Sequence, residues 1–271
     1  MKNNDINYFS DQQYLKEQQY KTPDNLQARI NLHIRFGTNP YRWPRWVFDQ
    51  LDIQSGQRIL ELGCGPADLW DENRDRIPPA TEILLADLSI GMVKRAHQKL
   101  ADLPDITTIC ADVQNIPAPE CFYDIVTANH MLYHAPDIER GLQEIKRVLK
   151  PGGKLLAATN GNQHMLELVD LIRAYSPNYQ DPSSRFSLEN APDHLHPLFA
   201  QIEVRRFEEN LLVTELEPLL AYIHSLSRNY EEKDKTLINS LENAVRARFT
   251  AQGQFFITKS QGAVIGIKPK K

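Results

Sequence analysis

Short apolar runs alternate with longer amphipathic segments through the middle of the chain. Five runs predict buried strands, and three segments with apolar positions at a spacing of three to four residues predict helices. Strands that alternate with helices are typical of βαβ units, so the pattern predicts a parallel sheet with helices on both faces. The predicted strands are 58–62, 82–87, 107–111, 124–128 and 154–159, and the predicted helices are 68–76, 90–101 and 137–149.

Two regions outside this alternation predict additions to the sheet. The front of the chain has apolar residues at helical spacing, and amphipathic segments return after the fifth predicted strand. Near the end, residues 202–213 and 255–267 predict two long strands. The predicted organisation is an N-terminal helical cap over 1–50 and a main domain over 51–271, which carries helical lid insertions at about 160–200 and 214–249.

Composition and charge narrow the class of protein. The 271 residues are 41% hydrophobic and 24% charged, which is ordinary for a globular protein. A net charge of -4 argues against a large nucleic-acid interface, so we expect no DNA partner. The polar start lacks a signal-peptide core, no apolar run reaches the roughly 20 residues of a membrane span, and the three cysteines form no CxxC pair. We therefore expect a cytoplasmic protein without a membrane partner.

The stretch ILELGCGPADLW, residues 59–70, places a glycine turn directly after the first predicted strand. Gly63 and Gly65 tolerate positive φ and have no Cβ, so a ligand can approach the backbone closely. The dinucleotide fingerprint GxGxxG would require a glycine where this chain has Asp68, and a carboxylate there would face the pyrophosphate. No P-loop pattern is present either. The loop therefore predicts close contact with a ligand that has no phosphate.

Two acids at the ends of the following strands indicate which ligand this is. Asp87 ends the second predicted strand, 22 residues after Gly65, where a carboxylate can accept hydrogen bonds from both hydroxyls of a ribose. Asp112 follows the third predicted strand, where a carboxylate can accept a hydrogen bond from the exocyclic amine of an adenine. A ribose site and an adenine site without a phosphate clamp describe an adenosine derivative such as S-adenosylmethionine.

Five motifs in order resemble the class I S-adenosylmethionine-dependent methyltransferases. They are ILELGCGPAD, LLADLS, CADVQNIP, FYDIVTANHMLYHAPD and LQEIKRVLKPGGKLLAAT, and they cover roughly residues 55–160. The resemblance implies an α/β fold with a Rossmann-like, seven-stranded, mostly parallel sheet, helices on both faces and an antiparallel last strand. This chain departs from the family at Ala67, where a third glycine is common, and we expect a slightly tighter pocket there.

The resemblance also implies a cofactor, S-adenosyl-L-methionine, with S-adenosyl-L-homocysteine as its product. The first loop would surround the methionine and ribose portions, Asp87 would take the ribose hydroxyls, and the end of the fourth strand would face the first loop. Leu88, Met92 and Val113 would pack near the adenine or serve as ordinary core residues. The implied cofactor-binding residues are Glu61, Gly63, Cys64, Gly65, Asp87, Leu88, Met92, Asp112, Val113, Asn129 and His130.

Candidate catalytic residues lie in the stretch NHMLYHAPD. Methyl transfer is an in-line displacement that depends mainly on orientation, so a general base is needed only where the acceptor must lose a proton. His130 and His134 are the candidates for that role, with Tyr133 beside them. Either histidine can instead anchor the loop by hydrogen bonding.

Candidate acceptor contacts lie in the front segment and the lid. Arg29 and His33 share a helix face at positions i and i+4, and together with Tyr20 they are candidate substrate or cap residues. Arg29 can pair with a carboxylate of the protein or of a ligand. No third ligand accompanies the histidines of the DHLH stretch, so we expect no metal site. Further possible lining residues are His164, Met165, Tyr175, Phe186, His194 and His196.

The sequence as a whole predicts an S-adenosylmethionine-dependent methyltransferase that acts on oxygen, nitrogen or carbon of a small molecule. A lid that mixes aromatic residues with histidines suits a metabolite better than a nucleic acid. Three alternatives stay open: an RNA- or protein-directed methyltransferase, a non-catalytic cofactor-binding subunit, and an NAD-dependent oxidoreductase with a broken fingerprint. Neither the acceptor nor the oligomeric state can be read from residue spacing.

Overall fold

Strands and helices alternate through the middle of the chain as predicted. The computed structural model describes residues 24–227 and 232–270, so the candidate Tyr20 lies outside the described residues. The strands in chain order are β1 (Arg58–Leu62), β2 (Glu82–Asp87), β3 (Ile106–Cys110), β4 (Tyr123–Asn129), β5 (Leu149–Asn160), β6 (Ala200–Phe207), β7 (Asn210–Val213), β8 (Phe255–Thr258) and β9 (Gln261–Ile267). The helices described are α1 (Asp24–Phe36), α2 (Trp43–Leu51), α3 (Asp68–Asp71), α4 (Ile90–Lys99), α5 (Ile138–Val148), α6 (Leu166–Tyr175), α7 (Ala191–Leu195), α8 (Leu216–Ser227) and α9 (Glu232–Gln252).

Seven strands form one sheet in the order β3-β2-β1-β4-β5-β9-β6. Six of them run parallel, and β9 runs antiparallel to both of its neighbours. The predicted Rossmann-like sheet with an antiparallel last strand is therefore confirmed. The strand order reverses between β1 and β4, and ligands of open parallel sheets bind outside the carboxyl ends of the strands at such a point.

Apolar side chains cover both faces of the sheet. Alternate residues of a strand point to opposite faces, so Leu60 and Val126 pack on the side of α5 whereas Ile59 and Ile125 pack on the side of α2 and α3. All four are at most 2% exposed. Burial on both faces explains why these strands read as continuous apolar runs rather than as alternating ones.

The helix after β1 is shorter than predicted. The sequence predicts a helix over 68–76, but α3 ends at Asp71 and a 3-10 turn follows it. Asn73 accounts for the difference, because its buried side-chain amide donates to the carbonyl oxygen of Leu69 at 2.7 Å and to that of Pro44 at 3.1 Å. A side chain that captures a carbonyl of the preceding turn competes with the helical hydrogen bonds.

Each of the two long terminal strands that the sequence predicts is interrupted and serves two sheets. Strands β6 and β9 pair in the main sheet, whereas β7 and β8 form a separate two-stranded antiparallel sheet. The interruptions fall at residues 208–209 and 259–260, and Lys259 forms a buried ion pair with Glu209 there. Both strands therefore leave the main sheet at one shared corner, and this ion pair lies in it.

A helical lid with a core of its own packs above the sheet. It combines α1, α6, α8 and α9 with the β7-β8 sheet, and its core contains Leu168, Ile223 and Leu241. Arg29 joins α1 to α8, because its guanidinium donates to the hydroxyl and to the carbonyl oxygen of Ser225, both at 3.1 Å. Within the ranges the structure describes, no helix is both long and apolar enough to cross a membrane.

Alanine at Gly262 tests the described position of β9. A Cβ at this position would collide with the carbonyl oxygen of Arg205 on β6, so the two strands would have to separate. We expect Gly262→Ala to lower the free energy of unfolding by about 1–3 kcal/mol, the usual cost of overpacking. Urea unfolding of the purified variant measures this change.

Gly91 in α4 provides the matched control. A Cβ there would make only an ordinary contact with Ser89, so Gly91→Ala should leave stability unchanged or raise it by up to about 1 kcal/mol, as alanine favours helix. Equal losses of stability in the two variants would contradict the described pairing of β6 with β9.

Candidate functional site

A cavity of about 860 Å³ lies between the sheet and the lid. Ligand sites commonly measure about 300–1,000 Å³, so this cavity can hold a cofactor and a small second molecule. We call the part formed by the loops after β1, β2, β3 and β4 the strand end, and the part formed by α1, α6 and the corner between β8 and β9 the lid end. The predicted residues that line the strand end are Glu61, Gly63, Cys64, Gly65, Asp87, Leu88, Met92, Asp112, Val113, Asn129, His130, Tyr133 and His134.

The loop after β1 adopts a backbone conformation that favours glycine. Gly63 and Gly65 have φ values of 67° and 54°, and a Cβ on Gly63 would collide with the side chain of Met131. Ala67 is also left-handed, with a φ of 64°, which is strained for a residue that has a Cβ. Its side chain is fully buried in the core rather than in the cavity wall. The sequence predicted that alanine at this position would narrow the pocket. In the structure it strains the loop instead.

Asp87 ties the glycine loop to the end of β2. Its Oδ2 accepts the backbone N–H of Gly65 at 2.9 Å, and its Oδ1 accepts the backbone N–H of Ser89 at 2.8 Å. Burial raises the pKa of this carboxyl, while both hydrogen bonds act in the opposite direction. Each carboxylate oxygen has a second lone pair, so Asp87 can accept hydroxyl donors from the cavity while it holds the loop.

Glu61 is buried in the middle of β1, where 2% of the residue is exposed. Trp70 donates its indole N–H to Oε2 at 2.6 Å, and Asn129 donates its side-chain amide to Oε1 at 2.7 Å. Burial raises the pKa of Glu61 to about 7, and the negative charge of Asp87 adds to the increase. Glu61 and Asp87 contribute to an acidic strand end, which favours a cationic ligand over an anionic one.

Residues that follow β2 and β3 form a mostly apolar part of the cavity wall with one carboxyl group, that of Asp112. Met92, in α4, and Val113, after β3, are 3% and 5% exposed, and Leu88, after β2, also lines the cavity. Asp112 is oriented by its own turn, because its Oδ1 accepts the backbone N–H of Gln114 at 2.9 Å. An apolar wall with a carboxylate at its edge can hold a nitrogen heterocycle and accept a hydrogen bond from its amine.

The residues after β4 bring imidazole groups to the cavity. His130 has a φ of 51°, a strained value for a residue that is not glycine, and strain of this kind concentrates at functional sites. Its ring lies 5.3 Å from that of Trp43, and burial lowers its pKa to about 4. Tyr133 and His134 follow in a 3-10 turn, with their ring centroids 4.5 Å apart. The imidazole of His130 is therefore neutral near pH 7.

The lid end contains a second group of polar side chains. The predicted residues Arg29 and His33 line it, together with His164, and the rings of the two histidines are 6.1 Å apart. Lys259 and Glu209 also line it as a buried ion pair. Sequence reasoning missed this pair, because its members are 50 residues apart. The only available signal was that both residues interrupt otherwise strand-like segments.

Four of the other residues predicted to line the lid lie elsewhere. Tyr175 is 49% exposed at the end of α6, and Phe186 is buried in the core below the lid. His194 contacts Glu139 at 2.6 Å, and His196 is exposed. Phe186, His194 and His196 follow a loop after α6 whose path the sequence pattern does not determine. No group of three potential metal ligands occurs among the residues described.

Comparison with known proteins finds a family match for the central region. Residues 60–157 match the family described as "Methyltransferase domain". The ubiquinone/menaquinone biosynthesis C-methyltransferase of Serratia proteamaculans is 29% identical over 137 residues, which are 49% of this chain and 55% of that protein. The protein of the same name from Vibrio campbellii is 26% identical over 200 residues, or 70% of this chain and 77% of that protein. In matches such as the first, at 29% identity, the chain spans about half the length of the curated relative.

Solved structures share the fold over most of the chain. The YcgJ protein of Bacillus subtilis is 18% identical, with a TM-score of 0.58, and the match covers 84% of this chain and 98% of that one. The phosphoethanolamine N-methyltransferase 2 of Haemonchus contortus, in complex with S-adenosyl-L-methionine, is 18% identical with a TM-score of 0.59, covering 98% of this chain and 61% of that one. At these identities the likeness shows the fold alone, and it agrees with the family match of residues 60–157.

The raised pKa of Glu61 predicts a pH-dependent stability. The folded protein binds the Glu61 proton more tightly than the unfolded chain, whose ordinary glutamate pKa is 4.5, so the contribution is complete below pH 4.5 and is lost as pH rises through about 7. Glu61→Gln has no such proton. As the pH rises from 5 to 8, we expect wild type to lose stability that the variant keeps. The free energy of unfolding of the variant minus that of wild type should therefore increase by about 2–3 kcal/mol.

Urea unfolding at the two pH values measures this difference. Glu217→Gln, which removes one exposed charge from the lid, serves as the control and should keep a constant difference from wild type. A constant difference for Glu61→Gln as well would show that Glu61 is not held in a pKa-raising environment.

Proposed function

We propose that this protein, whose residues 60–157 match the family described as "Methyltransferase domain", transfers the methyl group of S-adenosyl-L-methionine to a small-molecule acceptor. The matched region runs from β1 into β5 and leaves the lid out. Relatives therefore support the cofactor and the reaction class, while the acceptor has to be argued from the lid end of the cavity.

The acidic strand end beside a glycine loop carries this proposal. Glu61 and Asp87 both line the cavity next to Gly63 and Gly65. Asp68 lines it as well, and its charge is paired with Lys99. A sulfonium and an ammonium group gain favourable electrostatic interactions at such a place, whereas the pyrophosphate of NAD would meet three carboxyl groups. An NAD-dependent oxidoreductase is accordingly disfavoured.

The chain's own residues would bind and orient the cofactor, which supplies an electrophilic methyl group when bound. Asp87 would accept hydrogen bonds from the two ribose hydroxyls. Asp112 would accept a hydrogen bond from the adenine amine at the edge of the apolar wall. Glu61 would compensate the positive charge, since a cation favours the ionised form of a carboxyl group whose pKa is near 7. Asn129 holds Glu61 in place for this interaction.

The acceptor would approach from the lid end. The family resemblance implies that His130 lines the cofactor opposite the first loop. A neutral imidazole there can accept a proton from an acceptor that must lose one. The sequence relatives are named as C-methyltransferases, which favours carbon as the atom that is methylated. A cavity between the sheet and the lid favours a metabolite over RNA or protein. The cytoplasm remains the expected location.

Asparagine at Asp87 tests the cofactor assignment. The substitution keeps the shape of the side chain but removes the charge that would bind two ribose hydroxyls. Hydrogen bonds to a charged acceptor contribute about 1.5–3 kcal/mol, so we expect the Kd for S-adenosylhomocysteine to rise about 10- to 100-fold in Asp87→Asn. Isothermal titration calorimetry measures this directly.

Asp105→Asn, in an exposed turn before β3, is the matched control and should bind as wild type does. An unchanged Kd in Asp87→Asn would remove Asp87 from the ribose site. Wild-type protein that binds NAD and does not bind S-adenosylhomocysteine would contradict the proposed function itself.

A further inference from the structure

The cofactor of the proposed function carries a negative charge as well as positive ones, and the strand end is acidic. The methionine portion of S-adenosylmethionine ends in an ammonium group and a carboxylate. An ammonium or a sulfonium is attracted by neighbouring carboxyl groups, whereas a carboxylate among them is repelled unless a cation compensates it. The acidic residues that line the cavity at or next to the strand end are Glu61, Asp68, Glu72, Asp87 and Asp112. The ligand carboxylate therefore needs a basic side chain beside it.

Three arginine or lysine side chains line the cavity in the part of the chain that the structure describes. Lys259 is paired with Glu209 at the corner between β8 and β9. Arg29, on α1, donates to the hydroxyl and to the carbonyl oxygen of Ser225 at the lid end. The third is Arg42, which directly precedes α2. Arg42 is therefore the basic group that remains for an anion at the strand end.

Two contacts connect Arg42 to the strand end. Its guanidinium pairs with Glu72 at 2.7 Å, and Glu72 directly follows α3, the helix after the glycine loop. The ring of the next residue, Trp43, lies 5.3 Å from that of His130, which follows β4. The proposed ribose and adenine sites follow β2 and β3, on the other side of β1 from β4. Arg42 is thus connected to the elements that would surround the methionine portion rather than to the adenosine side.

The guanidinium of Arg42 has room for a second partner. It has five N–H donors, and its contact with Glu72 is made by Nη2. The side chain is 48% exposed, so part of the group stays accessible beside Glu72. A guanidinium binds a carboxylate through two parallel N–H groups, a geometry that a lysine ammonium cannot offer. Glu72 therefore orients Arg42 and leaves N–H groups for a carboxylate of the ligand.

We propose that Arg42 binds the carboxylate of the methionine portion of the cofactor through N–H groups that Glu72 leaves free. This assignment rests on the proposed function, since it takes the strand end to hold S-adenosyl-L-methionine. It adds to the cofactor site a residue that lies outside the matched region 60–157. Arg42 would thus favour ligands that have an amino-acid carboxylate, and it would join the start of α2 to the bound cofactor.

A pair of ligands that differ only in the carboxylate tests the proposal. S-adenosylhomocysteine and its decarboxylated analogue, which keeps the adenosine, thioether and ammonium groups, are titrated by calorimetry into wild type and Arg42→Met. The methionine side chain keeps much of the length of arginine but has no charge and no N–H donors. We expect the Kd for S-adenosylhomocysteine to rise about tenfold, while the Kd for the analogue stays within about twofold of wild type. Arg42→Lys, which keeps the charge without the planar fork, should lose less affinity for S-adenosylhomocysteine.

Arg35→Met provides the matched control. Arg35 pairs with Glu215 at 2.7 Å, and its side chain is also 48% exposed, but neither residue lines the cavity. Both ligands should bind this variant as they bind wild type. A tenfold loss of S-adenosylhomocysteine affinity in Arg35→Met would show a general effect of charge and would overturn the assignment.

The two ligands separate a failure of this assignment from a failure of the proposed function. Equal weakening of both ligands in Arg42→Met would give Arg42 a structural role only, and an unchanged Kd for S-adenosylhomocysteine would remove it from the site. Either result overturns the assignment and leaves the proposed function standing. Wild type that does not bind S-adenosylhomocysteine would overturn the proposed function, and the assignment with it. If Arg42→Met does not fold, Arg42→Lys decides the question, because equal changes for the two ligands contradict the assignment.

Discussion

A carboxyl group buried in the centre of a parallel sheet is the constraint around which this protein is organised. Glu61 lies on β1 between two neighbouring strands and is closed off from solvent. Such a group is tolerated only where donors satisfy its oxygens, and here one donor comes from α3 and the other from β4. These hydrogen bonds fix the short helix and the end of β4 relative to β1. The same geometry leaves an acidic site beside the glycine loop, with Asp87 next to it.

A second buried charge pair organises the other end of the cavity. Lys259 and Glu209 meet where both terminal strands leave the main sheet, and the small β7-β8 sheet that follows belongs to the core of the lid. Removing one partner would leave an uncompensated charge in a site that is almost fully buried. The resulting loss of stability is usually far larger than the net contribution of the ion pair to stability. The pair thus lies where the lid begins. Burial lowers the pKa values of His33 and His164, and the charge of Lys259 acts in the same direction.

The parts of this structure that depend on local patterns were predictable from the sequence. Asp87 could be recognised because it ends an apolar strand at a fixed distance from Gly65, and strand ends of a parallel sheet converge. Lys259 and Glu209 could not, because their contact depends on two strands that bend at the same corner. The end of α3 was hard to predict for a related reason, since the Asn73 amide that captures the Leu69 carbonyl also bonds to Pro44, in a different part of the chain. Ala67 was identified as a departure from the family, but its effect on backbone strain rather than on pocket size required the φ angle.

We propose that the cavity joins a methyl-donor site at the strand end to a small-molecule acceptor site at the lid end. Incubation of the purified protein with methyl-labelled S-adenosylmethionine and fractionated cell extract is the decisive measurement. We expect label in the organic-soluble small-molecule fraction, in a product whose mass exceeds that of its precursor by one methylene unit. Label confined to RNA or protein, or cofactor binding without any transfer to any fraction, would contradict it.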